Sequence, residues 1–328
     1  MPKPTRHSRA TRSLLILLTT AFLAVGAGCG GQAGAADPPR FGGTFWKHWG
    51  DGQAELAGYD LTYPRYGELR RGTAVAIFVT ETFSNELRVK ADPGKHSRSD
   101  QFPVMKLNLI HDFPTGLYDY NMMTSAFVAL KPVNGRPAGW PTKVSFSSQE
   151  WCGHVYQQLL FDKNKVRHQV HSYFDGEADQ DARLGDPGAG VSEDTLLLWA
   201  RDLAGPIVVP GQAVEVSILR SVIQSRLEHV PLEWFRASLS RSAETEQVTV
   251  PAGQFDVRTA TATIGGGRTW TFQVEAAFPN RVVHWSNSDG EAAQMLKSTR
   301  LQYWKLNGPG GEAALAELGL TARAPGMP

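Results

Sequence analysis

Short runs that alternate apolar and polar residues constrain the fold of this chain more than any other feature of its sequence. Residues 103–113 (PVMKLNLIHDF), 142–148 (TKVSFSS) and 165–176 (KVRHQVHSYFDG) show a period of two. Glycine, proline, asparagine and aspartate bound such runs, as they bound half-buried antiparallel strands. Pro251 and Gly253 predict a hairpin turn, and residues 287–290 (NSDG) predict another. The pattern predicts a mainly β, antiparallel protein.

One segment departs from the period of two. Residues 191–205 (VSEDTLLLWARDLAG) predict one central amphipathic helix with Ser192 as its N-cap. Its apolar stripe consists of Leu196, Leu197, Ala200 and Leu203. The Gly/Asp-rich residues 181–190 predict a loop before it. Two β regions joined near residues 185–205 are the first hypothesis, and one continuous curved sheet is the second.

Residues 1–28 predict a signal peptide. A basic head without acidic residues precedes an apolar run from Leu14 to Val25, which is too short to span a bilayer. The small residues before Cys29 resemble a bacterial lipoprotein signal, in which that cysteine is lipidated. Gly30 follows it, and the resemblance then favours the outer membrane. The alternative is cleavage near Ala35-Ala36, which gives a soluble periplasmic or secreted product.

The charge balance argues against nucleic acid as a partner. The chain has 33 Lys+Arg and 32 Asp+Glu in 328 residues. Residues 1–28 contain four basic and no acidic residues, so the remaining chain has 29 basic against 32 acidic residues, a formal net charge of −3. A chain without a basic excess lacks the electrostatic footprint of a nucleic-acid-binding protein. After residue 28 the sequence contains no apolar run of about 20 residues, which is the length that a transmembrane helix needs.

Residues 148–157 (SQEWCGHVYQ) contain Cys152, one of two cysteines in the chain. In a strand, Glu150, Cys152 and His154 would share one face, because side chains alternate with a period of two. A thiol beside a histidine is a catalytic arrangement, and a metal or ligand contact is a further alternative. Any strand produces the same spacing, so the favoured interpretation is a structural strand with Cys152 buried.

Residues 45–68 contain a second group of candidates, in which aromatic and charged residues are mixed. The aromatic candidates for a ligand cleft or interface are Trp46, Trp49, Tyr63 and Tyr66. Tyr and Trp combine an apolar body with a polar tip, which suits either role. The alternative is that these rings cap one end of the sheet. Asp51 and Glu55 are a candidate carboxylate pair, because glycoside hydrolysis uses two carboxyl groups.

Motifs for metal and cofactor binding are missing from the sequence. It contains no paired-cysteine, H-x-H or H-E-x-x-H spacing. The glycines at 265–267 have no following Lys-Ser/Thr and predict a hairpin turn instead of a phosphate loop. No G-x-S-x-G elbow is present. The sequence therefore predicts neither a metal site nor a cofactor.

Residues from Thr249 to about Leu306 include VTVPAGQFDV, RTWTFQVE and FPNRVVHWSNSDG. These stretches resemble a family of periplasmic, β-rich domains of unknown function. The resemblance implies antiparallel curved sheets, half-barrel or sandwich-like, on the periplasmic side of the envelope. It names no catalytic residue.

FWKHWGDG (45–52) and SSQEWCGHVYQQLLFD (147–162) extend the resemblance to the whole mature chain, which is similar to uncharacterised bacterial lipoproteins. Some of those proteins carry the label of the septum formation inhibitor Maf. We do not transfer that label, because Maf proteins are cytoplasmic α/β nucleotide pyrophosphatases. This sequence also has no early S-x-S-P-R-R-type phosphate-binding segment.

These observations divide the chain into six segments and predict a role in the cell envelope. The segments are a signal peptide (1–28), a flexible tether (29–44), an N-terminal β region (45–185), a linker and helix (186–205), a C-terminal β region (206–307), and a short helix and tail (308–328). The predicted function is that of an exported, lipid-anchored protein that binds an apolar or envelope-derived ligand or a partner protein. The alternative is a hydrolase-type enzyme that uses Cys152 with His154, or Asp51 with Glu55. A purely structural envelope protein is the third hypothesis.

Overall fold

The computed structural model describes residues 40–188 and 190–322. The strands are Ala54–Arg65 (β1), Glu68–Ser84 (β2), Gln101–Pro114 (β3), Asp119–Ala129 (β4), Pro141–Glu150 (β5), Gly153–Phe161 (β6), Lys165–Ser172 (β7), Gln180–Gly185 (β8), Val191–Ser192 (β9), Ala213–Leu219 (β10), Trp234–Arg241 (β11), Glu246–Val250 (β12), Gly253–Ile264 (β13), Arg268–Glu275 (β14), Val282–Asn287 (β15) and Ala292–Leu301 (β16). The α-helices are Gly43–Trp49 (α1), Leu196–Ala200 (α2) and Val222–Glu228 (α3). The 3₁₀ helices are Arg98–Asp100, Glu193–Thr195, Tyr303–Lys305 and Gly311–Leu318.

The described strands form one sixteen-stranded sheet, which is the second of the two hypotheses. Its order is β8-β7-β6-β5-β4-β3-β2-β1-β16-β15-β14-β13-β11-β10-β9, and β12 pairs with β13. The pairs are antiparallel, apart from a short parallel contact between β9 and β10. The sheet is open, with β8 and β9 at its edges. The prediction of a mainly β protein with an antiparallel curved sheet is therefore confirmed.

The inner face of the sheet and α2 share one hydrophobic core. On β1, Tyr59, Leu61 and Tyr63 alternate toward this core, as the period of two requires. The same cluster contains residues of α2 and of strands on both sides of β1, so the sheet curves around the helix. On the opposite face, Leu318 of the last 3₁₀ helix packs against Leu56.

The central helix differs from its prediction. Residues 191–205 form β9, a 3₁₀ turn and the short helix α2, and the five residues of α2 are all buried. The interpretation as an amphipathic helix with one apolar stripe is corrected, because the sheet surrounds α2 and Leu198 and Trp199 are buried as well. Ser192 is confirmed as an N-cap, although the element that it caps is the 3₁₀ helix Glu193–Thr195, which precedes α2. Its Oγ atom accepts a hydrogen bond from the backbone N–H of Asp194 (3.3 Å). Sequence reasoning also missed α1 and α3.

A buried ion pair holds α2 against the sheet. Arg201, directly after α2, places Nη1 2.7 Å from Oε1 of Glu55 on β1, and the two side chains are 1% and 3% exposed. The same guanidinium donates to the carbonyl oxygens of Pro279 and Asn280, each at 3.0 Å. Burial alone would raise the pKa of Glu55, but Arg201 and His48 lower it to about 2. Glu55 is therefore charged at neutral pH.

Replacing Arg201 with methionine tests this pair. We expect Arg201→Met to lower the free energy of unfolding by about 3–5 kcal/mol, because it leaves the buried Glu55 carboxylate without its counterion. Chemical denaturation at pH 7 measures the change. The control is Arg71→Met, which removes an ion pair with Asp60 in which the arginine side chain is 76% exposed. That variant should cost less than about 1 kcal/mol, and equal losses in the two variants would contradict the structural role of Arg201.

Candidate functional site

A cavity of about 270 Å³ lies between the inner face of the sheet and α3. It is at the end of the sheet where β1, β3 and β15 finish and β14 and β16 begin. Leu196 and Leu197 of α2 and the rings of Trp270 and Trp285 supply much of its apolar lining. Because these residues come from distant parts of the chain, the cavity exists only in the folded sheet.

Helix α3 covers one side of this cavity. Ile223 and Leu227 lie four residues apart on α3 and therefore share the face that lines it. Two carboxylates hold the start of the helix. Glu193 Oε2 accepts from the backbone N–H of Ser221 (3.0 Å), and Asp194 Oδ1 accepts from the Ser221 hydroxyl (2.7 Å).

An ionic network lies in the cavity wall. The Arg268 guanidinium lies between two carboxylates, with Nε 2.8 Å from Glu193 and Nη1 3.0 Å from Asp289. Trp270 Nε1 donates to the same Oε1 atom of Glu193 (2.6 Å). The guanidinium is therefore already paired, and the indole N–H of Trp270 is also occupied.

A second polar group lines the cavity. Glu291 accepts a hydrogen bond from Trp285 Nε1 (2.9 Å), and His111 Nε2 lies 3.4 Å from its Oε1 atom. His111 is 1% exposed, and neither ring nitrogen forms a hydrogen bond with a described residue. The buried Thr124 hydroxyl also has no hydrogen-bond partner in the described part of the chain. Buried polar groups without partners are uncommon in proteins, so this wall is not packed as an ordinary core.

Among the carboxyl groups of the cavity wall, Asp194 has a clearly altered acidity. Desolvation raises the pKa of this partly buried carboxyl to about 6, and the neighbouring Glu193 adds to the rise. Hydrogen bonds from Ser221, Val222 and Ser192 oppose it. The carboxyl that holds the start of α3 therefore titrates under mildly acidic conditions.

Asp194→Asn tests this assignment through the pH dependence of stability. Between about pH 4 and pH 6 the folded state binds the Asp194 proton more tightly than the unfolded state, so the contribution of this residue to stability falls as the pH rises. We expect the variant to lack this change, which is on the order of 1–3 kcal/mol. Urea denaturation at pH 4, 5, 6 and 7 measures it. Asp60→Asn, which removes a carboxylate outside the cavity wall, is the control, and a wild-type pH profile in Asp194→Asn would contradict the assignment.

The four aromatic candidates do not form one group. Tyr63 and Tyr66 line the cavity, whereas Trp46 and Trp49 lie on α1 and do not. Trp49 is buried against Phe78, with a ring-centroid distance of 6.5 Å. A ligand-binding role for the two tyrosines stays a prediction, and Trp49 belongs to the core.

The prediction of one strand through residues 148–157 is wrong. Trp151 and Cys152 form a two-residue turn between β5 and β6, across which Glu150 pairs with Gly153. Cys152 is exposed, so the expectation that it is buried is also wrong. A residue at the tip of a hairpin has no neighbouring strand to cover it, which explains its exposure. Its Sγ atom lies 3.9 Å from the Tyr118 hydroxyl.

Glu150 and His154 lie on opposite faces of the sheet. Glu150 points inward, accepts a hydrogen bond from Tyr120 and lies 3.3 Å from Nη2 of Arg226. His154 is exposed, and the next residue, Val155, is buried on the inner face. Because the chain reverses at Cys152, the three candidates do not form the row that a continuous strand would give.

The carboxylates of Asp51 and Glu55 are engaged by different arginines. Asp51 accepts from Arg300 Nη2 (2.9 Å), and Glu55 pairs with Arg201. A separate arginine neutralises each carboxylate, so both residues take part in structural ion pairs. The use of the two acids as a hydrolytic pair stays a prediction.

Residues 40–188 and 190–322 show no candidate metal cluster and no membrane-spanning helix. There, no group of three or more His, Cys, Asp or Glu side chains is placed to hold a metal ion. No helix in this part of the chain combines the length and the apolar character needed to cross a membrane. Cys29 and the predicted signal peptide lie outside the described residues.

Comparison with known proteins gives only a distant structural likeness. No family model matches the chain, and no curated protein matches it. A crystal structure described as a β-barrel-like protein of domain of unknown function DUF1849 from Brucella abortus is similar over 76% of this chain and 98% of that chain. The two share 10% sequence identity with a TM-score of 0.42, which supports no argument about function. The resemblance to bacterial lipoproteins stays a prediction.

Proposed function

We propose that this is an exported, lipid-anchored binding protein of the bacterial cell envelope, with an amphipathic small molecule in the cavity beneath α3. The cavity carries the proposal. At about 270 Å³, it is close to the lower end of the range for small-molecule sites, roughly 300–1,000 Å³. A largely apolar lining with a few converging polar groups is typical of such sites.

The packing of the surrounding core supports a binding role. Protein interiors are close-packed, and few of their voids are larger than a water molecule. A cavity bounded by Leu197, Leu227 and Trp285 departs from that rule at one end of the sheet. An apolar ligand would supply the van der Waals contacts that these side chains lack, so ligand binding would explain the unfilled volume.

The arrangement of α3 supports access to the cavity. Exposed residues stand on both sides of the mouth, with Tyr66 in the turn after β1 and Glu228 at the end of α3. Polar contacts attach α3 to its surroundings, including the pair formed by Arg226 and Glu150. A short helix held mainly by side-chain contacts can be displaced without disturbing the strand pairing of the sheet.

Filling the cavity tests the binding proposal. We expect N-phenyl-1-naphthylamine, an apolar fluorescent probe, to gain fluorescence on binding the protein with a stoichiometry of one. Leu227→Trp places an indole in the cavity and should weaken binding by about 10-fold or more. Ile207→Trp introduces the same ring at an exposed position outside the cavity lining and should leave binding unchanged. Circular dichroism checks that both variants fold, and equal binding by both would place the probe elsewhere.

The location in the envelope rests on the N-terminal sequence. The basic head, the short apolar run and Cys29 support export and lipidation, and residues 30–39 separate Cys29 from the first described residue, Arg40. Those ten residues are rich in glycine and alanine, a composition that suits a flexible tether. The resemblance of this segment to a lipoprotein signal supports a position on the periplasmic side of the outer membrane.

Cys29→Ser tests the anchor. In bacterial cells fed radiolabelled palmitate, the wild-type protein should incorporate label and sediment with membranes, because a lipidated N-terminus partitions into the bilayer. Cys29→Ser should lose both properties, whereas Cys152→Ser should retain them. An unlabelled, soluble wild-type product would instead support cleavage near Ala35-Ala36.

A further inference from the structure

We infer that the cavity selects an apolar molecule with a cationic hydrogen-bond donor, such as an amine, over one with a carboxylate or phosphate head group. This inference rests on the proposed ligand-binding function and specifies its ligand class. It follows from the charges and hydrogen-bond acceptors that line the cavity.

Acidic groups outnumber basic groups in the lining. The acidic residues are Glu193, Asp194, Glu228, Asp289 and Glu291. The arginines are Arg65 and Arg268. A concave site with an excess of one charge, and with low-dielectric walls, focuses a field that attracts the opposite charge. The lining therefore favours a cation over an anion.

The two arginines are already engaged. Arg268 lies between Glu193 and Asp289, at 2.8 and 3.0 Å. Arg65 donates to the Tyr120 hydroxyl (3.0 Å), and its guanidinium carbon lies 4.2 Å from the ring centroid of Tyr66. An anionic head group would compete with these carboxylate and hydroxyl contacts, although Arg65 Nε and Arg268 Nε and Nη1 form no hydrogen bond with a described residue.

His111 provides an independent indication that the missing group is a donor. The ring is 1% exposed and belongs to the cavity lining, and neither nitrogen has a hydrogen-bond partner in the described part of the chain. Glu291, the nearest charged group, lies 3.4 Å from Nε2. A carboxylate beside Nε2 favours the tautomer with the proton on that nitrogen, so we assign Nδ1 as an acceptor. A hydrogen-bond donor on the ligand would pair with Nδ1 after a small shift of the side chains in the cavity wall.

The rim carries acceptors that a cation can reach directly. Glu228 and Asp289 are exposed and line the same cavity as the buried Glu193 and Glu291. An ammonium group at the rim would contact carboxylates while its apolar body lies against Leu227 and the floor formed by α2. This position avoids the cost of burying the charge deep in the core.

A matched series of eight-carbon molecules tests the inference. Octylamine, octan-1-ol and octanoate compete with N-phenyl-1-naphthylamine for the cavity of the full chain. Each has eight carbons in an unbranched chain with a different head group, and in octanoate the carboxyl carbon is one of the eight. We expect octylamine to bind about 10-fold more tightly than octanoate, because a unit charge near several carboxylates is attracted and the opposite charge is repelled. Raising the salt concentration should reduce this ratio. Octanoate that binds as tightly as octylamine would overturn the inference.

Two rim variants locate the selectivity. Asp289→Asn and Glu228→Gln should each reduce the preference for octylamine over octanoate by about 3-fold, measured as the ratio of the two competition constants within each variant. Glu68→Gln removes an exposed carboxylate that does not line the cavity, and it should keep the full preference. If the probe itself fails to bind, the proposed function fails. If the probe binds and the head-group preference is absent or unaffected by both rim variants, only the ligand class is wrong.

Discussion

Glu55 and Arg201 join the sheet to the helix that it surrounds. The pair connects β1, in the middle of the strand order, with the residue that ends α2. Taking two charges out of water is unfavourable, so such a pair persists only when its remaining hydrogen bonds are satisfied. The carbonyl groups of Pro279 and Asn280 satisfy them here. The ion pair thus fixes where α2 lies, and the position of α2 decides which part of the interior is filled.

A short helix inside a large curved sheet leaves space at one end. α2 has only five residues, whereas β2 has 17 and β3 has 14. Leu196 and Leu197 therefore line the inner end of the cavity. The strands extend past these two residues, and α2 does not cover that part of their inner faces. α3 spans this end and encloses the cavity. The site is a direct result of the difference in length between the strands and the helix.

Local patterns in the sequence predicted the strands and several turns, but not the cavity. The turns at Pro251 and at residues 287–290 depend on their own residue types, and both occur where they were predicted. Glu193, Arg268 and Glu291 line one cavity only because strands far apart in the chain become neighbours. The alternation of apolar and polar residues does not reveal which strands pair. The turn at Cys152 was missed because alternation continues on both sides of it, and only Gly153 marked the reversal.

The ionic network also couples the cavity to its cover. Glu193 pairs with Arg268 in the wall and accepts the backbone N–H of Ser221 at the start of α3. Asp194 binds the Ser221 hydroxyl and titrates near pH 6. A charge placed in the cavity therefore acts on the same carboxylates that hold α3. Binding and the position of the cover are consequently linked through shared groups, and a change in either must alter the free energy of the other.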